Sequence, residues 1–403
     1  MRIGTQSFYN QSMNGIGSQQ QQLFRIQQKL SAGTKFLTPA DDPVAAARAL
    51  GVSDTLAQSS QYATSRDRAT LSLSREEDAL KSATDILQNV KTLVVQAGNG
   101  TLSDADRASL ATAIQSNIDQ LVNVANADDG NGQFLFAGFK SASPPFVGQT
   151  GGGVQYMGDQ GQRLIQIDVS RQMAITDDGR SVFQSVQGSA GYVTSASAAN
   201  TGSGVFGAVG VTDATAPLYG KDFSISFTGG NYTVTTNDTP PVVAATGAFT
   251  AGTPISFGGV QISMSGTPAD GDTFQVATAR NAGTDIFAAL GDVVSALRQP
   301  VSGGGAGAQA ALQNALSTAN VKITNAHDNV LTVRSSVGSR MNEIDALDAA
   351  GDSRDLIDKA YLSDLQDLDP AAAISEFLQR QTSLQATQQT FARLHGIALF
   401  NYL

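Results

Sequence analysis

The sequence predicts an α+β chain: an elongated helical bundle or coiled-coil rod made from the N- and C-terminal segments, with an inserted β-rich domain. Apolar residues recur every seven positions at both ends and along two long inner stretches, whereas the middle of the chain switches to a period of two. Helical texture lies both before and after that middle, which is why the β-rich part reads as an insertion. At 403 residues the chain exceeds what one core organises. The expected division is three-part: terminal assembly segments 1–43 plus 370–403, a helical rod 44–140 plus 284–369, and a β-rich domain 141–283.

The first helix is read from Tyr9, Ile16, Leu23 and Leu30, which lie seven apart on one line, beside a second line of Met13, Gln20 and Gln27. The stretch 31–43, SAGTKFLTPADDP, is a loop punctuated by Gly33, Pro39 and Pro43, with an Asp pair available for capping. A long helix follows, carrying Leu73, Leu80, Leu87 and Val94 and ending near Gly98. Another opens at Ser103 or Asp104 and holds Leu110, Ile114, Ile118 and Leu121 until the break at Asp128, Asp129 and Gly130.

In the middle, Phe223, Ile225 and Phe227 alternate, a turn follows at 228–231, and Tyr232 and Val234 return as the second arm of a hairpin. A second hairpin is expected from Ile255, Phe257, Val260, Ile262 and Met264, through the turn GTPADGD at 266–272, to Phe274 and Val276. Beyond it, Leu316, Ile323, Val330, Val337 and Ile344 mark a helix over about 308–350, with a shorter separate helix at 352–368. Asp369 and Pro370 then supply the cap and first position of the last helix. There Phe377, Leu384, Phe391 and Ala398 form one line, with Ile374, Gln381, Gln388, His395 and Tyr402 on the other.

Each end therefore carries one apolar seam and one seam rich in amides, and these residues are the candidate assembly interface. Residues 1–30 contain eight Gln and only Arg2, Arg25 and Lys29 as charges; residues 371–403 carry only Glu376, Arg380 and Arg393. Amides hydrogen-bond one another without like-charge repulsion, as side-by-side packing of identical copies requires. By contrast, the 341–369 stretch holds nine acids and reads as a solvated face. These textures imply a radial order in an assembly: weakly charged termini innermost, acidic helices around them, the β-rich domain outside. A lone helix of such length buries no seam, so the termini are expected to stay unformed until neighbours arrive. An intramolecular hairpin between the two ends is the alternative.

Composition excludes much chemistry. There is no Cys, no Trp and only two His, His327 and His395, so thiol catalysis and the usual zinc ligand sets are out, and no enzyme, cofactor or metal is expected. A net charge of −10 without a basic patch argues against nucleic acid and anionic membrane. No basic-then-apolar leader opens the chain, so export without a cleavable signal peptide is expected. The run Gly202 to Gly207 fits G-x-G-x-x-G, but it lacks the strand before and the helix after that a dinucleotide site needs.

Four stretches carry a family likeness: MRIGTQSFYN at the start, QQKLSAGTKFLTPADDPVAAARAL at 27–50, GNGQFLFAGFKSASPPF at 130–146, and LSDLQDLDPAAAISEFLQRQTSLQATQQTFARLHGIALFNYL at 362–403. Together they resemble the flagellin-like axial proteins of bacterial flagella. The third stretch and the Asn-Tyr-Leu ending narrow the likeness to the FlgL family of hook-filament junction proteins. Phe36 departs from the basic or polar residue usual in the second stretch. The resemblance implies a secreted structural adaptor of the flagellum. It implies assembly with itself as a ring between the hook-associated junction protein FlgK and flagellin. It implies passage through the flagellar type III export apparatus and an FlgN-type export chaperone on Phe377, Leu384 and Phe391. The rival readings are a filament-forming flagellin and, of another class, a secreted binding module acting through the β-rich insert.

Overall fold

The computed structural model describes residues 5–149, 153–185 and 191–400, and the chain forms two compact units, Ser65–Asp345 and the combination of Met1–Thr64 with Ala346–Leu403. Two long helices contribute to both: α2, Pro43–Ala97, and α5, Gly305–Gln366. Of the remaining helices, α1 (Thr5–Ala32) and α6 (Pro370–Phe400) belong to the terminal unit, α3 (Asp104–Ala125) and α4 (Ile286–Arg298) to the central one.

In the central unit the heptad lines lie inside. Leu73, Leu80, Leu87 and Val94 of α2 and Leu316, Ile323, Val330, Val337 and Ile344 of α5 are all buried. Each such Leu or Ile contributes about 2 to 5 kcal/mol relative to Ala. Helix α3 starts where Ser103 makes a capping box: its hydroxyl accepts from the Asp106 amide at 3.2 Å, and the Asp106 carboxylate accepts from the Ser103 amide at 3.0 Å. Helix α4, which packs on α3, is capped by Asp285 accepting from Phe287 N at 2.8 Å and Ala288 N at 3.2 Å.

One expectation changes here, and one element is added. The region 352–368 is not a helix of its own, because α5 continues through it to Gln366. Gly351, the only strong breaker at that point, costs about 1 kcal/mol in a helix interior, which a helix held by neighbours on both sides of it absorbs. The 13-residue α4 is an element that the heptad search passed over.

The β-rich part consists of two small hairpins and a two-sheet module. Strands β1 (Phe146–Gly148) and β2 (Val154–Tyr156) pair antiparallel, as do β3 (Leu164–Asp168) and β4 (Arg171–Ala174). A π-helical turn at Arg180–Gln184 follows. Phe136, Phe146, Phe183 and Phe287 meet around it, with ring centroids 5.3 to 6.1 Å apart. Leu135, Phe136, Ala137 and Phe146 are thus core residues that tie the post-α3 loop to α4, while Phe139 between them is exposed.

The module proper has eight strands, β5 (Tyr192–Ala196), β6 (Val205–Val211), β7 (Phe223–Thr228), β8 (Asn231–Thr236), β9 (Val243–Ala248), β10 (Ile255–Phe257), β11 (Val260–Ser265) and β12 (Thr273–Thr278). They form a five-stranded sheet, β5-β12-β7-β8-β9, and a three-stranded sheet, β10-β11-β6. Their inward residues, including Phe223, Ile225, Val234, Ile262 and Phe274, share one core. The β7/β8 hairpin has the anticipated register, with Phe227 opposite Tyr232. The second expected hairpin is different. Gly258 and Gly259, both at positive φ, fold 255–265 into its own tight hairpin, and β11 and β12 lie in different sheets. The turn 266–272 changes sheets because the Asp272 carboxylate accepts from Thr201 N at 2.9 Å and Ala269 N at 2.8 Å, pinning it to the loop before β6. In that same loop Gly202 lies so close that a Cβ would sit 2.3 Å from Ala269 N, so its run of glycines is a packing feature leading into a strand.

Candidate assembly interface

Helices α1 and α6 pack side by side and antiparallel, since Tyr9 meets Phe391 at one end and the chain entering α6 meets the chain leaving α1 at the other. The latter junction is built on backbone. Gly33, at φ 70, ends α1 and its carbonyl accepts from Leu368 N at 2.9 Å, while Lys35 N donates to Gln366 O at 2.7 Å. Asp369 then caps α6 through Ala371 N at 2.9 Å and Ala372 N at 3.3 Å. In the loop after α1, Asp41 accepts from Leu37 N and Thr38 N at 3.0 and 3.1 Å and lies 3.6 Å from Arg25. Those backbone donors hold its carboxyl below the usual range, ahead of the effect of Arg25.

The apolar line of each helix faces the other helix. Leu384 is 9% exposed, Ile16, Leu23, Leu30, Phe377 and Phe391 are half-buried, and the Tyr9 and Phe391 rings lie 5.4 Å apart. In place of unformed ends, the chain shows the hairpin alternative. The second inward line is shifted one residue from the sequence reading. It runs through Ser12, Gln19 and Ile26 on α1 and through Ala373, Arg380 and Thr387 on α6. The spacing is then 3-4-3-4 throughout, as antiparallel helices require to keep both lines against a partner.

The other line at each end therefore points away. Met13, Gln20, Gln27, Ile374, Gln381 and Gln388 are all exposed. Beside them stand two large side chains that the seven-residue search did not select, Phe24 at 59% and Leu378 at 53% exposure. This outer face is amide-rich with apolar points. Its charges are few: Glu376 is paired at 2.7 Å with Arg380 of the inward line, which also reaches Gln22 Oε1. Ala398 lies within α6, its side chain outside the described residues, and Tyr402 and the side chain of His395 also fall outside them.

His327 lies on α5 with Nε2 3.3 Å from Gln88 Nε2. Among the described residues no group of three or more His, Cys, Asp or Glu is placed to hold a metal, and no helix is long and apolar enough to cross a membrane.

Comparison with known proteins adds the family. The bacterial flagellin N-terminal helical region matches residues 3–141, and the D2-like domain of flagellar hook-associated protein 1 matches residues 195–278. The chain is 32% identical over 400 residues to flagellar hook-associated protein 3 of Escherichia coli K12, covering 99% of both. It resembles the crystal structure of Xanthomonas campestris FlgL with a TM-score of 0.68 and 28% identity, over 77% of this chain and 99% of that one. The 41 kDa flagellar filament core protein of Borreliella burgdorferi is also 32% identical, but over only 32% of this chain.

Proposed function

The chain belongs to the family of flagellar hook-associated protein 3, FlgL, and from that premise we propose that it is the structural adaptor joining the hook-side junction protein FlgK to the flagellin filament. The observation that carries this reading is likeness over the full length of a hook-associated protein, whereas the filament-protein match covers only a third of the chain. The outer face of the α1/α6 pair is suited to such a role: it is exposed, nearly uncharged and lined by Met13, Gln20, Gln27, Ile374, Gln381 and Gln388. Neighbouring subunits close over it as a ring, hiding Phe24 and Leu378 from water.

The same proposal includes the three-part division into terminal assembly segments, helical rod and β-rich insert, and a radial order with the termini innermost. It also includes export through the flagellar type III apparatus without a cleavable signal, and an FlgN-type chaperone on Phe377, Leu384 and Phe391. Those three residues face α1 in the folded chain, so chaperone and α1 compete for one surface. Electron microscopy of a deletion strain tests the central assignment. Hooks without filaments, with flagellin shed into the medium, are expected; filaments of normal number on those hooks would overturn it.

A further inference from the structure

Glu76 occupies a core position of α2, three residues after Leu73 and four before Leu80, and it is completely buried. Its Oε1 accepts a hydrogen bond from the Asp177 amide at 3.0 Å, and its Oε2 has no hydrogen-bond partner. A strap of chain following β4, residues 174–178, crosses here between α2 and α5. Ser72 Oγ of α2 donates to Ile175 O at 2.9 Å, and Arg340 Nη1 of α5 donates to Ala174 O at 3.0 Å while its other terminal nitrogen pairs with the Asp177 carboxylate.

The charges around Glu76 are few. The strap supplies Asp177 and the neighbouring Asp178, the latter occupied in capping Ser181 N at 2.9 Å. Helix α5 supplies Arg340, already committed to Asp177, and Arg334, whose Nε donates at 3.0 Å to Glu77 of α2. Arg340 and Arg334 are thus both committed to other carboxylates, and an unpaired buried carboxylate is costly.

We propose that Glu76 is a proton-operated catch: carrying its proton it lets the 174–178 strap seat against α2, and on releasing that proton to solvent it repels the Asp177 carboxylate and loosens the strap. Burial first, and the Asp177 charge second, push the Glu76 carboxyl up to about 8 against a partial opposing pull from Arg340. The sign follows. The folded state keeps a proton that the unfolded chain loses in the ordinary glutamate range, so stability declines as pH rises from there to about 8 and is level above. Within that window a single proton changes the folding equilibrium by up to about tenfold per pH unit.

The chain contains only four glutamates, Glu76, Glu77, Glu343 and Glu376, which makes the test direct. Full-length protein labelled with carbon-13 at the glutamate carboxyl should show one resonance titrating well above the ordinary carboxylate range and absent from Glu76→Gln. Hydrogen-exchange protection over 174–178, corrected for intrinsic rates, should fall about a hundredfold between pH 6 and pH 9 in the wild type and stay level in Glu76→Gln. If that variant fails to fold, Glu77→Gln, Glu343→Gln and Glu376→Gln assign the remaining resonance by elimination. Four resonances all titrating below about pH 5, or equal loss of protection in wild type and variant, would overturn the proposal.

Discussion

The rings of Tyr9 and Phe391 lie 5.4 Å apart, although nearly the whole chain separates them in sequence. This contact and Leu384 fix which face of each terminal helix is spent within the subunit, and hence which face remains for neighbours. The following expectations depend on that split.

Leu384→Ala removes an aliphatic group packed between α6 and α1. Pairing of the two helices should weaken by about 2 kcal/mol, and amide exchange along 12–30 and 373–391 should accelerate roughly 5- to 30-fold. Unchanged exchange would mean that the helices do not pair in the isolated chain.

Glutamate at Gln20, Gln27, Gln381 and Gln388 together acts on the opposite face. These side chains are exposed, so thermal unfolding of the isolated protein should move by no more than about 0.5 kcal/mol per site. Motility should nevertheless be lost, because like charges converge where copies meet. Swimming at the wild-type level would show that the amide line lies outside any interface.

Competition for Phe377, Leu384 and Phe391 should be visible in solution. An FlgN-type chaperone is expected to bind a chain lacking residues 1–32 more tightly than the intact chain, as titration calorimetry would report. Equal affinities would separate the chaperone's footprint from the α1 contact.

Excision of the β module should leave assembly intact if the cut is made at the right place. Ala279 N donates to Gly191 O at 2.9 Å, so the chain enters and leaves the module at adjacent residues. Joining 191 to 279 should preserve the helical core and filament formation. A cut beginning near 147 should instead destabilise the core, because Ile167, Met173 and Phe183 are buried and the Arg66 guanidinium donates to Ile167 O at 3.1 Å. Loss of filaments from a well-folded 192–278 deletion would give the module a part in the junction itself.

Much of this architecture could be read from sequence where the cause is local. The heptads of α2 and α5, the Ser103 and Asp369 caps and the β7/β8 hairpin all depend on neighbours within a few residues. What could not be read depends on partners far along the chain. Nothing near 266–272 announces that Asp272 binds the backbone of 201–202, so β11 and β12 looked like one hairpin. Glu76 sits in SREEDAL, which reads as a solvated face until its place three residues after Leu73 is counted. The shifted inner line of α1 was available in the same way, since Ile26 completes a 3-4 spacing between Leu23 and Leu30. Helix α4 also carried a signal, an Asp285 cap ahead of Ile286, Leu290, Val293 and Leu297.

The closeness of Gly191 and Ala279 bears on how such a protein diversifies. An insertion whose two ends are neighbours can grow, shrink or be exchanged between lineages without changing the geometry of the scaffold that carries it. Variation can therefore accumulate in one cassette while the helices remain under separate selection.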